Sequence, residues 1–312
     1  MRIIIYHDES DLSLAALRTG ASLALRLDLP FSVITARPGT VPIEQQPNYG
    51  EDLERAYWET LPPGLKLLAQ ALEVTETMDL VEPVDKIKLL EEPSGERGFF
   101  VQTRTGHNLR FMVRFGDPFE VIEREVYARE ENHHSLLVIA DPGKKGIHRM
   151  FTSNLAHRAC LDLMTSVLAV KGEHLDESVF LCADGSSSAR RAYPVLNSML
   201  PALPGHFKVI GVTLTQAEEV LKETCEECAK RARAWLAAEG KDTEVLIREG
   251  DDPAQTIIDE AGDKAIIVVG ASIRSDLSKR LLGGVSISVL ESSKATVLLA
   301  KALPGEELTW GE

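Results

Sequence analysis

The chain has 312 residues, 44% hydrophobic and 26% charged, with a formal net charge of -14. That length accommodates two ordinary domains, and the composition is that of a soluble globular protein. The acidic balance argues against nucleic acid as a partner, because binders of a phosphate backbone show a basic surface; a small anion held at helix termini stays open.

Four cysteines in a chain this long do not make a disulfide framework. No apolar run approaches the roughly 18 residues of a membrane span. The opening MRIIIYHDES turns acidic within a few residues, unlike a signal peptide. The expectation is a reduced, cytoplasmic protein without a membrane partner.

In chain order, Arg2 to Tyr6 is a β-rich run that ends in His7-Asp8-Glu9-Ser10. Ser13 to Leu27 carries apolar residues at helical spacing, and Phe31 to Ala36 is the next strand. A β-α-β opening of this kind predicts a parallel sheet. Pro38 to Asn108 fits the alternation poorly. It holds a helix expected over Glu51 to Glu73, then strands around the turns Pro93-Ser94-Gly95 and Thr105-Gly106-His107. Residues from about 83 to 108 read as an insertion, either a hairpin covering a sheet edge or a partner surface. Leu109 to Val113 resumes the strands, Asp117-Pro118 opens a helix through Ala128, and Leu136 to Ala140 is a buried strand. A loop, a helix and a closing strand at Val167 to Val170 follow.

After Lys171-Gly172-Glu173 the order starts again. Ser178 to Ala183 is a strand, Asp184-Gly185-Ser186 a polar turn, and Ser188 to Leu200 a helix interrupted at Tyr193-Pro194. Phe207 to Thr213, a helix over Gln216 to Glu239, a strand at Glu244 to Ile247 and a helix opened by Gly250-Asp251-Asp252-Pro253 complete the parallel. Ala265 to Lys301 closes the chain: a buried strand ending in Gly270, a polar loop to Gly283-Gly284, a helix and the strand Val297 to Ala300. A whole order of elements occurring twice is stronger evidence than any single motif.

The closing stretch resembles the C-terminal half of a universal stress protein domain, whose nucleotide-binding members carry Gly-x2-Gly-x9-Gly-Ser/Thr. Gly270, Ile273, Gly283 and Gly284 fall at the four places, so an isoleucine replaces one glycine and Gly284 replaces the hydroxyl residue. The resemblance implies an α/β fold of two tandem universal-stress-type domains, Rossmann-like and akin to adenine-nucleotide alpha hydrolases. Each would be a five-stranded, mostly parallel sheet flanked by helices, over residues 1–172 and 173–312. It further implies adenine-nucleotide binding, ATP or AMP with or without magnesium, in some members and none in others. In the second copy the implied contacts are Asp184, Gly185, Ser186, Val212, Gly270, Ser272, Gly283, Gly284, Val285 and Ser286. In the first copy Ala140, Gly143, Ser153 and Asn154 hold the four signature places, and Asp8 takes the place of the aspartate at the adenosine end. Helix capping explains Asp8 equally well. Lys144 and Lys145 on that loop read as a solvated basic spot.

The family's domains associate through their closing strands, here Val167 to Val170 and Val297 to Ala300, which implies an intrachain pseudo-dimer and leaves a homodimer open. Cys225-x-x-Cys228 lies among glutamates that oppose thiolate formation, and it lacks further ligands at zinc spacing. The adjacent His133-His134 pair makes no metal site either. The leading expectation is a stress-response regulatory module without dedicated catalysis. Two others stand beside it. One is a nucleotide-free scaffold that binds a protein through the insertion. The other is a weak ATP hydrolase, for which Asp184 and Ser272 are the nearby candidates.

Overall fold

The computed structural model describes residues 1–39, 52–128, 135–142, 152–173, 177–271 and 284–301. The chain divides into two compact units, Met1–Ala140 and Asp141–Glu312.

The first unit contains β1 (Arg2–Tyr6), α1 (Asp11–Leu27), β2 (Phe31–Arg37), β3 (Asp52–Glu54), a 3-10 turn (Arg55–Thr60), α2 (Pro63–Thr77), β4 (Lys86–Glu91), β5 (Arg97–Gln102), β6 (Asn108–Phe115), α3 (Pro118–Tyr127) and β7 (Ser135–Ala140). Its strand order is β7-β1-β2-β6-β5-β4-β3. The first four are parallel, and their Ile, Val and Leu runs are buried on both faces, as a helix-covered parallel sheet requires. The other three add antiparallel strands to the edge of β6.

The helix expected over Glu51 to Glu73 is corrected: it begins only at Pro63, preceded by β3 and the 3-10 turn. Pro62 and Pro63 lack amide hydrogens and force extended backbone before them, so an α-helix can start at this pair but cannot run through it. The inserted residues form a hairpin that covers the β6 edge. Arg114 of β6, almost wholly buried, donates to Glu92 and Glu96 of that hairpin at 2.6 Å each and to Glu125 of α3 at 3.2 Å. Burial opposes ionisation of Glu96, but hydrogen bonds from the Phe115 amide and Arg114 outweigh it and hold the carboxyl below the usual range.

The second unit contains α4 (Thr152–Asp162), β8 (Ser166–Val170), β9 (Val179–Cys182), α5 (Ser187–Arg190), α6 (Ala192–Met199), β10 (His206–Thr213), α7 (Glu219–Ala238), β11 (Asp242–Glu249), α8 (Pro253–Ala261), β12 (Ile266–Gly270), α9 (Gly284–Ser292) and β13 (Thr296–Ala300). Its order is β11-β10-β9-β12-β13-β8, parallel throughout except that β8 runs antiparallel to β13 with Leu168 opposite Leu298. The helix expected from Ser188 to Leu200 is two helices. Pro194 has no N–H to give the Arg190 carbonyl, and α5 stops at Arg190.

The β6-β2-β1-β7 order of the first unit matches β11-β10-β9-β12 of the second. Matching backbone bonds recur: His7 N to Ile34 O and Ala183 N to Ile210 O are both 2.9 Å, while Gly116 N to Arg37 O and Gly250 N to Thr213 O are both 3.0 Å. The Asp-Pro caps recur too, with Asp117 accepting from Phe119 N at the start of α3 and Asp252 from Ala254 N at the start of α8, each at 3.0 Å.

Candidate functional site

In an open parallel sheet the ligand crevice lies beyond the carboxyl ends of the strands where the order reverses. In the second unit that point is between β9 and β12. Past β9, Asp184 Oδ1 accepts from Ser186 N at 2.9 Å, and Ser186 Oγ caps α5 by accepting from Ala189 N at 3.1 Å. Gly185 between them has φ +82°, so glycine is favoured by conformation, and a Cβ there would crowd Cys228 Sγ at 3.1 Å. The turn holds the Asp184 carboxylate out in solvent at the mouth of the crevice.

Gly270 ends β12 on the other side of the crevice. A Cβ on it would overlap the Ser188 carbonyl oxygen of α5, so this glycine admits the helix backbone. Ser286 Oγ donates to Gly270 O at 2.9 Å and ties the first turn of α9 to the strand end. Both residues therefore build the crevice wall. Gly284 and Val285, which begin α9, are exposed, and the space around Gly284 is open. The first amides of a helix have no intrahelical acceptor, which makes this end of α9 a donor surface for an anion. Val212 is a buried residue of β10 two positions beyond Ile210. Ser272, Ile273 and Gly283 lie outside the described residues.

The first unit repeats the Asp-to-Ser hydrogen bond without the left-handed residue between. Asp8 Oδ1 accepts from Ser10 N at 2.9 Å and from Ser10 Oγ at 2.6 Å. The helix cap is Ser10, which accepts from Ser13 N at 3.2 Å, so Asp8 supports the cap without being it. His7, 1% exposed, puts Nδ1 at 2.7 Å from Ser13 Oγ, and its Nε2 is buried without a hydrogen-bond partner. Burial pushes the imidazole pKa down, against the opposing pull of Asp8. Ser153 and Asn154 fall in the first turn of α4 in the second unit, where the backbone alone is described. Gly143, Lys144, Lys145, His133 and His134 lie outside the described residues.

Cys225 is buried in α7, where burial raises its thiol to about 11, and Cys228 one turn on is half-buried. Both are free thiols, and among the described residues no group of three His, Cys, Asp or Glu side chains could hold a metal. A groove of about 400 Å³ lined by His206, Lys208, Arg233, Asp242 and Glu244 lies at the amino ends of β10 and β11, the opposite end from the crevice. No helix among the described residues is long and apolar enough to cross a membrane. Two buried lysines, Lys171 and Lys301, have roles that the sequence does not show. The available signal was a lysine directly after each closing strand, in VLAVK and VLLAK.

Residues 207–301 match the universal stress protein family. The chain is similar in fold to a universal stress protein from Archaeoglobus fulgidus, at 16% identity and TM-score 0.56, covering 98% of this chain and 97% of that one. A putative universal stress protein from Pseudomonas aeruginosa gives 12% identity and TM-score 0.55, covering 96% of this chain and 92% of that one. A functionally unknown protein from the same organism gives 15% identity and TM-score 0.56 over the same shares. No curated protein matches the chain.

Proposed function

We propose that the protein is a tandem universal-stress-type regulatory module that binds an adenine nucleotide, ATP or AMP, in its second half. The observation that carries this reading is the Asp184–Ser186 turn, which presents an exposed carboxylate at the reversal point of the sheet, inside a crevice that also receives the amino end of α9. The family match over 207–301 includes the β12 and α9 side of that crevice and Val212, while β9, the turn and α5 precede it. In this reading Asp184 takes the adenosine end, Val212 packs against adenine, and the Gly284 and Val285 end of α9 receives phosphate. Gly270 and Ser286 serve by fixing the wall.

The first half carries a degenerate copy, with Ala140 where the second has Gly270. A bound nucleotide would supply the anionic charge that the amino end of α9 complements, and the protein would act by binding rather than by turning it over. Calorimetric titration with ATP and AMP, with and without magnesium, tests the reading. The expected result is saturation near one site per chain, abolished by Asp184→Ala. Absence of heat at millimolar nucleotide overturns it. Slow ATP turnover abolished by Asp184→Ala would replace it with the hydrolase reading.

A further inference from the structure

The antiparallel seam between β8 and β13 contains an exchange of lysines. Lys171 directly follows β8, and Lys301 directly follows β13. Both are buried: the Lys171 side chain is 4% exposed and Lys301 5%. Lys171 Nζ donates to Leu290 O, and to Ser293 O at 2.8 Å, at the end of α9. Lys301 Nζ donates to Cys160 O at 2.5 Å and to Leu163 O, at the end of α4. The backbones exchange as well, with Lys171 N donating to Thr296 Oγ1 at 3.3 Å and Lys301 N to Ser166 Oγ at 3.0 Å. Each of these hydrogen-bond partners on one side has its counterpart on the other at one constant separation along the chain. The seam is thus self-complementary in the manner of a two-fold interface, although both sides belong to one polypeptide.

The last carbonyls of a helix have no intrahelical donor and form the negative end of its dipole, so an ammonium there satisfies hydrogen bonds and charge together. Each lysine does this for the helix that leads into the other strand. Helix α9 is a short rod, about 13 Å long at 1.5 Å per residue. Its first turn carries Gly284 and Val285 and is tied to Gly270 through Ser286. Its last turn is held by Lys171.

We propose that Lys171 is a positioning residue for the nucleotide crevice of the second half, fixing from the preceding closing strand the far end of the helix whose near end receives phosphate. The inference rests on the nucleotide reading given above. Lys171 also has a carboxylate beside it, Asp141 Oδ2 at 3.3 Å. Asp141 N bonds Val170 O at 2.8 Å just as Ala271 N bonds Ala300 O at 2.9 Å, so Ala271 stands where a matching carboxylate would serve Lys301.

The test is hydrogen exchange and ATP titration on the full chain as wild type, Lys171→Met and Lys301→Met. In Lys171→Met, exchange accelerates in α9 and not in α4, and ATP affinity falls at least about fivefold, the lower end of ordinary site coupling. In Lys301→Met, exchange accelerates in α4 and ATP affinity is unchanged. Should Lys171→Met fail to fold because buried Asp141 loses this cation, the double variant Asp141→Asn with Lys171→Met carries the same expectation. A folded variant lacking Lys171 that binds ATP like wild type overturns the positioning role. So does acceleration shared equally by both helices. A wild-type protein that binds no ATP overturns the nucleotide reading instead, and the titration of wild type tells these failures apart.

Discussion

The turn after β1 and the turn after β9 share an Asp-to-Ser hydrogen bond but not the backbone between, which is left-handed at Gly185 and not at Glu9, and the space beneath them is filled in opposite ways. Each has an aspartate whose Oδ1 accepts from the amide of a capping serine two residues on, Asp8 with Ser10 and Asp184 with Ser186. In the second unit the strand ends are small, Ala183 and Gly270, and the backbone of α5 moves in against Gly270. In the first unit the corresponding residues are His7 and Ala140, and the imidazole fills the space beneath α1 through Ser13. A repeated framework therefore does not repeat the crevice. What differs is whether a helix backbone or a side chain fills the reversal point, and two residues decide it.

The outer edges of the two sheets differ as well, and the largest predicted effect lies there. The edge strand of the second unit, β11, is bordered by charged residues such as Arg248 and Glu249, whereas β6 is covered by the hairpin through Arg114. Arg114→Met removes three charge-assisted hydrogen bonds from this network, leaving Glu96 to the half-exposed Arg124 and Glu125 to Arg2 and Arg110, and the expected loss is about 3–5 kcal/mol. Urea unfolding followed at Trp58 checks it, and a loss under 1 kcal/mol would show that the hairpin is held by apolar packing alone. Deleting the hairpin is for the same reason not a clean test of a partner surface.

Next comes the strand-end exchange itself. Gly270→Ala sets a methyl group against a helix carbonyl that cannot retreat without α5, at a cost of about 3 kcal/mol. Ala140→Gly removes only a methyl group and is expected to cost about 1 kcal/mol. Thermal unfolding of the two variants separates them, and equal losses would contradict the difference in filling.

The third prediction uses the seam. Burial holds the Lys301 ammonium down to about 8 from its ordinary 10.5, against the smaller opposing pulls of Cys160 and Asp162. Because the unfolded chain keeps this proton over that window, the Lys301 contribution to stability rises as pH increases from 8 to 10.5, by on the order of 2–3 kcal/mol. The difference in unfolding free energy between wild type and Lys301→Met, taken from pH 7 to 10.5, should show that rise. Ala271→Asp should flatten it by giving Lys301 the partner that Lys171 already has. A difference independent of pH would mean that Lys301 keeps an ordinary affinity for its proton.

The smallest effect concerns His7. Its folded pKa lies below the unfolded value of 6.5, so the unfolded chain takes up a proton first and stability falls as pH drops below about 6.5. Replacing His7 with Ala, as at position 183, should reduce the slope of stability between pH 7 and pH 5. Chemical denaturation at the two pH values measures it, and an unaltered slope would assign the acid sensitivity to other groups.

Much of this was legible in the sequence for physical reasons that are local. Buried parallel strands announce themselves as Ile-Val-Leu runs, as at Ile266 to Val269, because a polar side chain covered on both faces needs a partner to bond. Asp117-Pro118 and Asp252-Pro253 start helices because cap and proline act within one turn. The Asp184-Gly185-Ser186 turn was readable for the same reason. The helix expected over Glu51 to Glu73 starts only at Pro63, because the backbone of Pro62-Pro63 cannot donate.

By itself the sequence determined the order of elements, its repetition and the turns that end each strand, since these depend on neighbours a few residues apart. Only the tertiary structure decided which side chains those turns would serve. It showed that Gly270 admits a helix, that Ser286 is tied to a strand, that the hairpin is anchored through Arg114, and that Lys171 and Lys301 reach across a seam. Such roles depend on what lies opposite in space, and a lysine after an apolar strand reads as a solvated end until another helix places its carbonyls over it.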